Sequence, residues 1–224
     1  MTAREGAYAT RHGFNQRFLS AKQQPVELGR NWQSDEAPNK RPPALLFPLG
    51  IKRAAASRPA FAQRPQPGIV GQPAPAWGVT DWLNLPPNAH GLDVADLRGK
   101  VVYLYGFQSW CPGCHKVGFP TLKTLLGQYA GDAEVVFVAV QTTFEGFGSN
   151  GLAQARQTAA RYGLTIPVGQ SGTAQQPSVL MRNYRTGGTP WVIIIDRQGI
   201  VRFNDFHIAP QQAVQVIDAL KAER

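Results

Sequence analysis

The chain has 224 residues, a formal net charge of +9 and only two cysteines. Two cysteines three positions apart cannot staple a scaffold, because they close too small a loop; nor is there a run of about 20 apolar residues to cross a bilayer as a helix. Residues 1–67 carry 11 Lys+Arg against 4 Asp+Glu, a net +7, and the remainder only +2, which argues against a folded basic surface built for nucleic acid.

Residues 1–75 read as a disordered, basic, Pro-rich arm. They hold ten of the 18 prolines, with Gln, Arg and Ala between them and no sustained apolar period. A short helix over 15–24 is compatible with the pattern. The first thirty residues lack an apolar signal core, which points to the cytoplasm. The nearest approach to one, Ala44–Ile51, is short, contains Pro48 and is closed by Lys52-Arg53. A single folded domain is expected over 76–224.

In that domain Val79–Leu85 is a candidate strand, ended by Pro86-Pro87-Asn88. Val101–Phe107 is a nearly continuous apolar, β-favouring run, as suits a strand buried on both faces. A helix is predicted from Pro112 to about Tyr129, with Val117, Leu122, Leu125 and Leu126 at helical spacing. Glu134–Gln141 is a second buried strand. Gly151–Tyr162 is a second helix, capped by Gly163. Trp191–Asp196 is a third strong strand, turned through Arg197-Gln198-Gly199 into Ile200–Phe206, and Pro210 opens a last helix. Crossover helices imply parallel neighbours and the tight turn an antiparallel pair. The fold class is therefore α/β, a central mixed sheet with helices on both faces.

The chemistry concentrates at Cys111-Pro112-Gly113-Cys114, where a buried strand gives way to a helix. Pro112 suits the first helical position, where no backbone N–H is needed. Cys111 then faces unpaired N–H groups and the positive end of the helix dipole, a setting that favours the thiolate, the form that attacks. Cys114 follows one turn later, within disulfide reach. The expected roles are an exposed, attacking Cys111 and a more buried, resolving Cys114. A zinc site would need four ligands, and His12, His90, His115 and His207 are scattered, so no metal is expected. No cofactor is expected beyond the Cys111–Cys114 redox pair itself.

Gly99-Lys100-Val101-Val102, then Phe107-Gln108-Ser109-Trp110 running into the CPGC motif, resembles TlpA/ResA-type thioredoxin-like proteins of the redoxin (AhpC/TSA) superfamily. So do Tyr162–Val168, Gly187-Gly188-Thr189-Pro190 and Asp196-Arg197-Gln198-Gly199, and the likeness spans about residues 70–224. The resemblance implies a thioredoxin fold and makes Pro190 a cis-proline packed opposite the cysteines. It implies that the Thr189 backbone pairs with a substrate chain and that Trp110 covers the rim, with Pro112 and Gly113 supporting. It also points to the periplasm, against the absence of a leading signal. Two positions depart from the pattern. Tyr105 stands where thioredoxins carry a buried Asp, and Val117 where ResA-type proteins carry a Glu. His115 is a candidate replacement for the missing proton acceptor, although a solvent-facing helical His is the simpler expectation. Tyr105 either donates a hydrogen bond near the site or only packs.

The function expected is thiol–disulfide exchange on protein disulfides or dithiols, with a thiol reductant or oxidant as second partner, by a monomer that binds no specific nucleic acid. The alternative is a peroxiredoxin-like thiol peroxidase acting through Cys111. Its Pro-x-x-x-Thr/Ser-x-x-Cys pattern is absent, since the key positions hold Leu104 and Gln108; Arg182 or Arg185 could supply an activating cation. A third reading is a redox-inert scaffold whose arm holds an anionic partner.

Overall fold

The computed structural model describes residues 67–223, so the reading of residues 1–66 as an arm lies outside the described residues. Six strands form one mixed sheet: β1 (Asp81–Leu83), β2 (Val101–Phe107), β3 (Val135–Thr142), β4 (Val168–Ser171), β5 (Trp191–Ile195) and β6 (Val201–Asp205). Their spatial order is β1-β4-β3-β2-β5-β6. β2, β3 and β4 are parallel, while β1, β5 and β6 pair antiparallel at the flanks. The helices are α1 (Phe119–Gln128), α2 (Leu152–Tyr162), α3 (Val179–Tyr184) and α4 (Pro210–Ala222).

Alternation along β2 builds two cores. Tyr103, Tyr105 and Phe107 face α1, α2 and α4, meeting Phe119, Leu122, Ala155 and Ile217. Val102 and Leu104 face the other side, with Trp77, Leu180, Tyr184 and Trp191. Every residue of β2 is buried, which is why the strand reads as an unbroken apolar run. The α/β fold with a mixed central sheet is as expected.

Three expectations change. The predicted first strand contracts to Asp81–Leu83, and two elements without a clear pattern, β4 and α3, are added. The predicted helix from Pro112 is interrupted by a π-helical turn at Cys114–Gly118, where Phe119 N–H donates to Cys114 O, five residues back. Pro120 gives the reason: it has no N–H and its ring crowds the carbonyl four residues back, so the preceding turn widens. Residues 67–75 are also built into the fold, contrary to the boundary drawn after 75. Gly71 N–H donates to Val201 O, Val201 N–H to Gln72 O and Ala74 N–H to Gly199 O. Pro73 bridges Ile200, and Ile69 is 4% exposed. The prolines there lie at a sheet edge, where a missing donor is tolerated.

Candidate active site

β2 delivers the chain to the carboxyl end of the sheet, where Cys111 N–H closes a turn onto Gln108 O at 3.0 Å. Helix follows at once from Pro112. The turn is clamped from the next loop. Ser109 N–H donates to Asn150 Oδ1 (2.9 Å) and to Gln141 Oε1 (3.2 Å). Asn150 Nδ2 in turn donates to Gln108 Oε1 and to the carbonyls of Glu145 and Gly146. Gln170 extends the network to Thr143 and accepts from Gln141 Nε2. These are buried amides with their partners supplied, which fixes the loop geometry. No motif marks Gln141, Asn150 or Gln170, and Gln108 stood out only within the segment leading into CPGC; Gln141 and Gln170 interrupt apolar strands, while Gln108 lies just past β2 and Asn150 in the loop before α2.

Within this frame the backbone N–H of Cys114 donates to Cys111 Sγ at 3.2 Å. The Cys111 thiol also points to Thr189 O at 3.5 Å. Both cysteines are free thiols. The Thr189-Pro190 peptide is cis and its ring lies over the start of the helix. A Cβ added at Gly113 would come 3.2 Å from Pro190 Cδ and 3.9 Å from Cys111 Sγ, so glycine at 113 admits that approach. The same loop changes one expectation. Cys111 is 6% exposed rather than open to solvent, against 0% for Cys114. Cys111 remains the more accessible of the two.

Burial pushes the Cys114 thiol up to about 12, and its hydrogen bond with Cys111 adds to the rise. Backbone hydrogen bonding at Gln108 and a hydrogen bond from Tyr105 pull the other way. His115 fits neither of its expected roles. Its Nε2–H donates to Ser109 O (2.7 Å), a carbonyl that can only accept, and its Nδ1 meets Tyr162 Oη at 2.8 Å. The ring stacks with Tyr162 and lies tilted against Phe119. It braces the turn, and neither nitrogen is left over for Cys114.

Four exposed aromatic side chains edge this end of the sheet: Trp110, Phe144, Phe147 and Phe206, each 40–47% exposed. Gly146, at φ 58, lies against the Trp110 indole, where a Cβ would come 3.1 Å from Nε1. Phe206 packs on Trp191 at 4.9 Å and against Gly188, next to Thr189. A groove of about 370 Å³ runs between Phe144, Phe147, Pro177 and Met181. Among the described residues no cluster of three or more His, Cys, Asp or Glu is arranged to hold a metal ion.

Residues 70–204 match the model of the AhpC/TSA family. The chain belongs to the AhpC/TSA family. The crystal structure of a thioredoxin-like superfamily protein is 28% identical, with a TM-score of 0.62 over 68% of this chain and 97% of that one. A thiol-disulfide isomerase from Corynebacterium glutamicum is also 28% identical, with a TM-score of 0.57 over 65% of this chain and 94% of that one. The thioredoxin domain of a thiol-disulfide oxidoreductase from Bacteroides vulgatus, 16% identical, covers 67% of this chain and 96% of itself at a TM-score of 0.51, and shares the fold. No curated protein matches the chain. This AhpC/TSA redoxin has the thioredoxin fold and is an oxidoreductase of the thiol–disulfide group.

Proposed function

We propose that the CPGC pair exchanges electrons with protein disulfides, Cys111 attacking and Cys114 resolving. The observation that carries this is the Cys114 N–H donating to Cys111 Sγ at the head of a helix, beside Thr189 and Pro190. A sulfur in that position has its negative charge met by a backbone donor as it forms.

In the forward direction Cys111 thiolate attacks a substrate disulfide. A Cys111–substrate S–S bond forms, the substrate S–S bond breaks, and one substrate sulfur leaves as thiolate. Cys114 gives up its proton and attacks Cys111 Sγ. The Cys111–Cys114 bond forms, the mixed disulfide breaks, and the second substrate sulfur departs and is protonated. The substrate gains two electrons and the enzyme dithiol becomes a disulfide. The steps run backward to oxidise a dithiol. Trp110, Pro112, Gly113, Thr189 and Pro190 shape the approach. The exposed aromatic rim supports a polypeptide substrate, since an apolar segment beside a disulfide can bury against it.

The peroxidase alternative gains nothing from the geometry. Leu104 is buried in β2, and the Gln108 side chain is committed to Asn150.

The test is insulin-disulfide reduction by the full chain and two variants. Cys111→Ser is expected to abolish turnover, and Cys114→Ser to accumulate a mixed disulfide on Cys111. Turnover retained by both variants would contradict the assignment.

A further inference from the structure

The resolving step needs a thiolate at Cys114, which is fully buried, and among the described residues no carboxylate has a contact with it. The core that encloses it is built from β2, β3, β5, the π-helical turn, α1, α2 and α4, and β3 and β5 carry no titratable side chain. On β2 the titratable groups facing that core are Tyr103 and Tyr105. On the turn, His115 is engaged with Ser109 and Tyr162, and Lys116 is exposed. α2 contributes Tyr162, held by His115, while Asp218 and Lys221 of α4 are taken up by Tyr129 and Asp132. Among the described residues, Tyr105 is the one such group besides Cys111 with a hydrogen bond to Cys114.

Tyr105 is placed there with unusual tightness. Its ring lies parallel to Phe107 at 6.0 Å and edge-on to Phe119 at 5.2 Å. Its hydroxyl donates to Cys114 O at 3.4 Å, a long bond. That carbonyl is already the acceptor of the π-helical bond from Phe119 N–H. The hydroxyl fits because residue 118 is glycine. A Cβ there would overlap the Tyr105 oxygen and come 2.7 Å from Cζ and 2.9 Å from Cε2. Gly118 has φ −66, an ordinary helical value, so conformation does not demand glycine and space does. The widened turn and the missing side chain together make a notch that a tyrosine oxygen fills. Tyr103, on the same face of the same strand, shows the contrast: its buried hydroxyl has no hydrogen-bond partner among the described residues.

We propose that Tyr105 is a positioning residue for the resolving step, its hydroxyl admitted by Gly118 to the π-helical turn to hydrogen-bond the Cys114 sulfur as that sulfur becomes a thiolate. The bond made long to the carbonyl leaves the O–H able to turn to the sulfur, a stronger acceptor once charged. In the step itself the Cys114 proton goes to solvent, the Cys114–Cys111 bond forms, the Cys111–substrate bond breaks and the departing sulfur takes a proton. Tyr105 donates a hydrogen bond and keeps its own proton. The downward pull of Tyr105 on the Cys114 titration agrees with this. The proposal rests on the disulfide-exchange reading above.

The experiment uses the reduced full chain and 5,5′-dithiobis(2-nitrobenzoate) in stopped flow. Attack by Cys111 releases one thionitrobenzoate, and resolution by Cys114 releases the second. Tyr105→Phe should leave the first release as in wild type, slow the second about tenfold at neutral pH and move its pH profile up by about one unit. Gly118→Ala, which expels the hydroxyl, should give the same displaced second phase, and adding it to Tyr105→Phe should displace the profile no further. Tyr103→Phe should leave both phases unchanged. A wild-type second-phase profile in Tyr105→Phe overturns the proposal, as does one in Gly118→Ala should Tyr105→Phe fail to fold. A wild-type protein that releases only one equivalent and keeps the adduct on Cys111 overturns instead the exchange reading beneath it.

Discussion

Two thiols three residues apart are made chemically unlike by what surrounds each. Cys111 has a backbone donor and an edge open to the rim, while Cys114 lies inside a core of Tyr105, Phe107 and Phe119. The difference has a consequence for stability. Below the ordinary thiol range Cys114 is protonated in both folded and unfolded chains, and its burial as a neutral group carries no ionisation penalty. As pH rises from about 9 toward the folded value of about 12, the unfolded chain loses the proton first, so stability falls with pH across that window. Reduced wild type should lose about 1 kcal/mol more than Cys114→Ala between pH 7.5 and 10, by urea unfolding. Burial also pushes Tyr103 and Tyr184 up, but their effect is common to both proteins and cancels in the difference. An equal loss in the two proteins would show that Cys114 is not held as a neutral thiol.

Among the elements, β2, β3, β5, α2 and α4 were legible because their signal is burial itself. Val101–Phe107 and Trp191–Ile195 are apolar throughout, and the ends of β3, β5 and α2 differ from expectation by about a residue. β4 gave no such signal. Val168-Gly169-Gln170-Ser171 is fully buried, yet half polar, because Gln170 spends its amide on Gln141, Thr143, Asn150 and Gly172. α3 has six residues, too few for a period. The 67–75 segment misled most, since recurrent prolines without an apolar period read as disorder where the chain is an edge against β6. Ile69→Ala should therefore cost about 2–4 kcal/mol in denaturant unfolding. Val70→Ala, at a neighbour 59% exposed, should stay within about 0.5 kcal/mol. Equal, negligible effects would return these residues to the arm.

Across the described body, one end of the sheet gathers the chemistry. β2 and β3 bring Cys111 and the Phe144–Phe147 loop there; β5 and β6 bring Pro190 and Phe206. The CPGC motif and Thr189-Pro190 were readable because adjacency in sequence carries their meaning. The amide network that clamps Ser109 was not, because residues 108, 141, 150 and 170 meet only once three parallel strands are in register. The placement of the two sulfurs relative to this end is the claim on which the rest depends. It is tested most directly by treating the reduced, native full chain with iodoacetamide at neutral pH and locating the label by peptide mass spectrometry. Cys111 should be alkylated while Cys114 stays unmodified until denaturant is added. Labelling of Cys114 first, or of both at equal rates, would contradict the account.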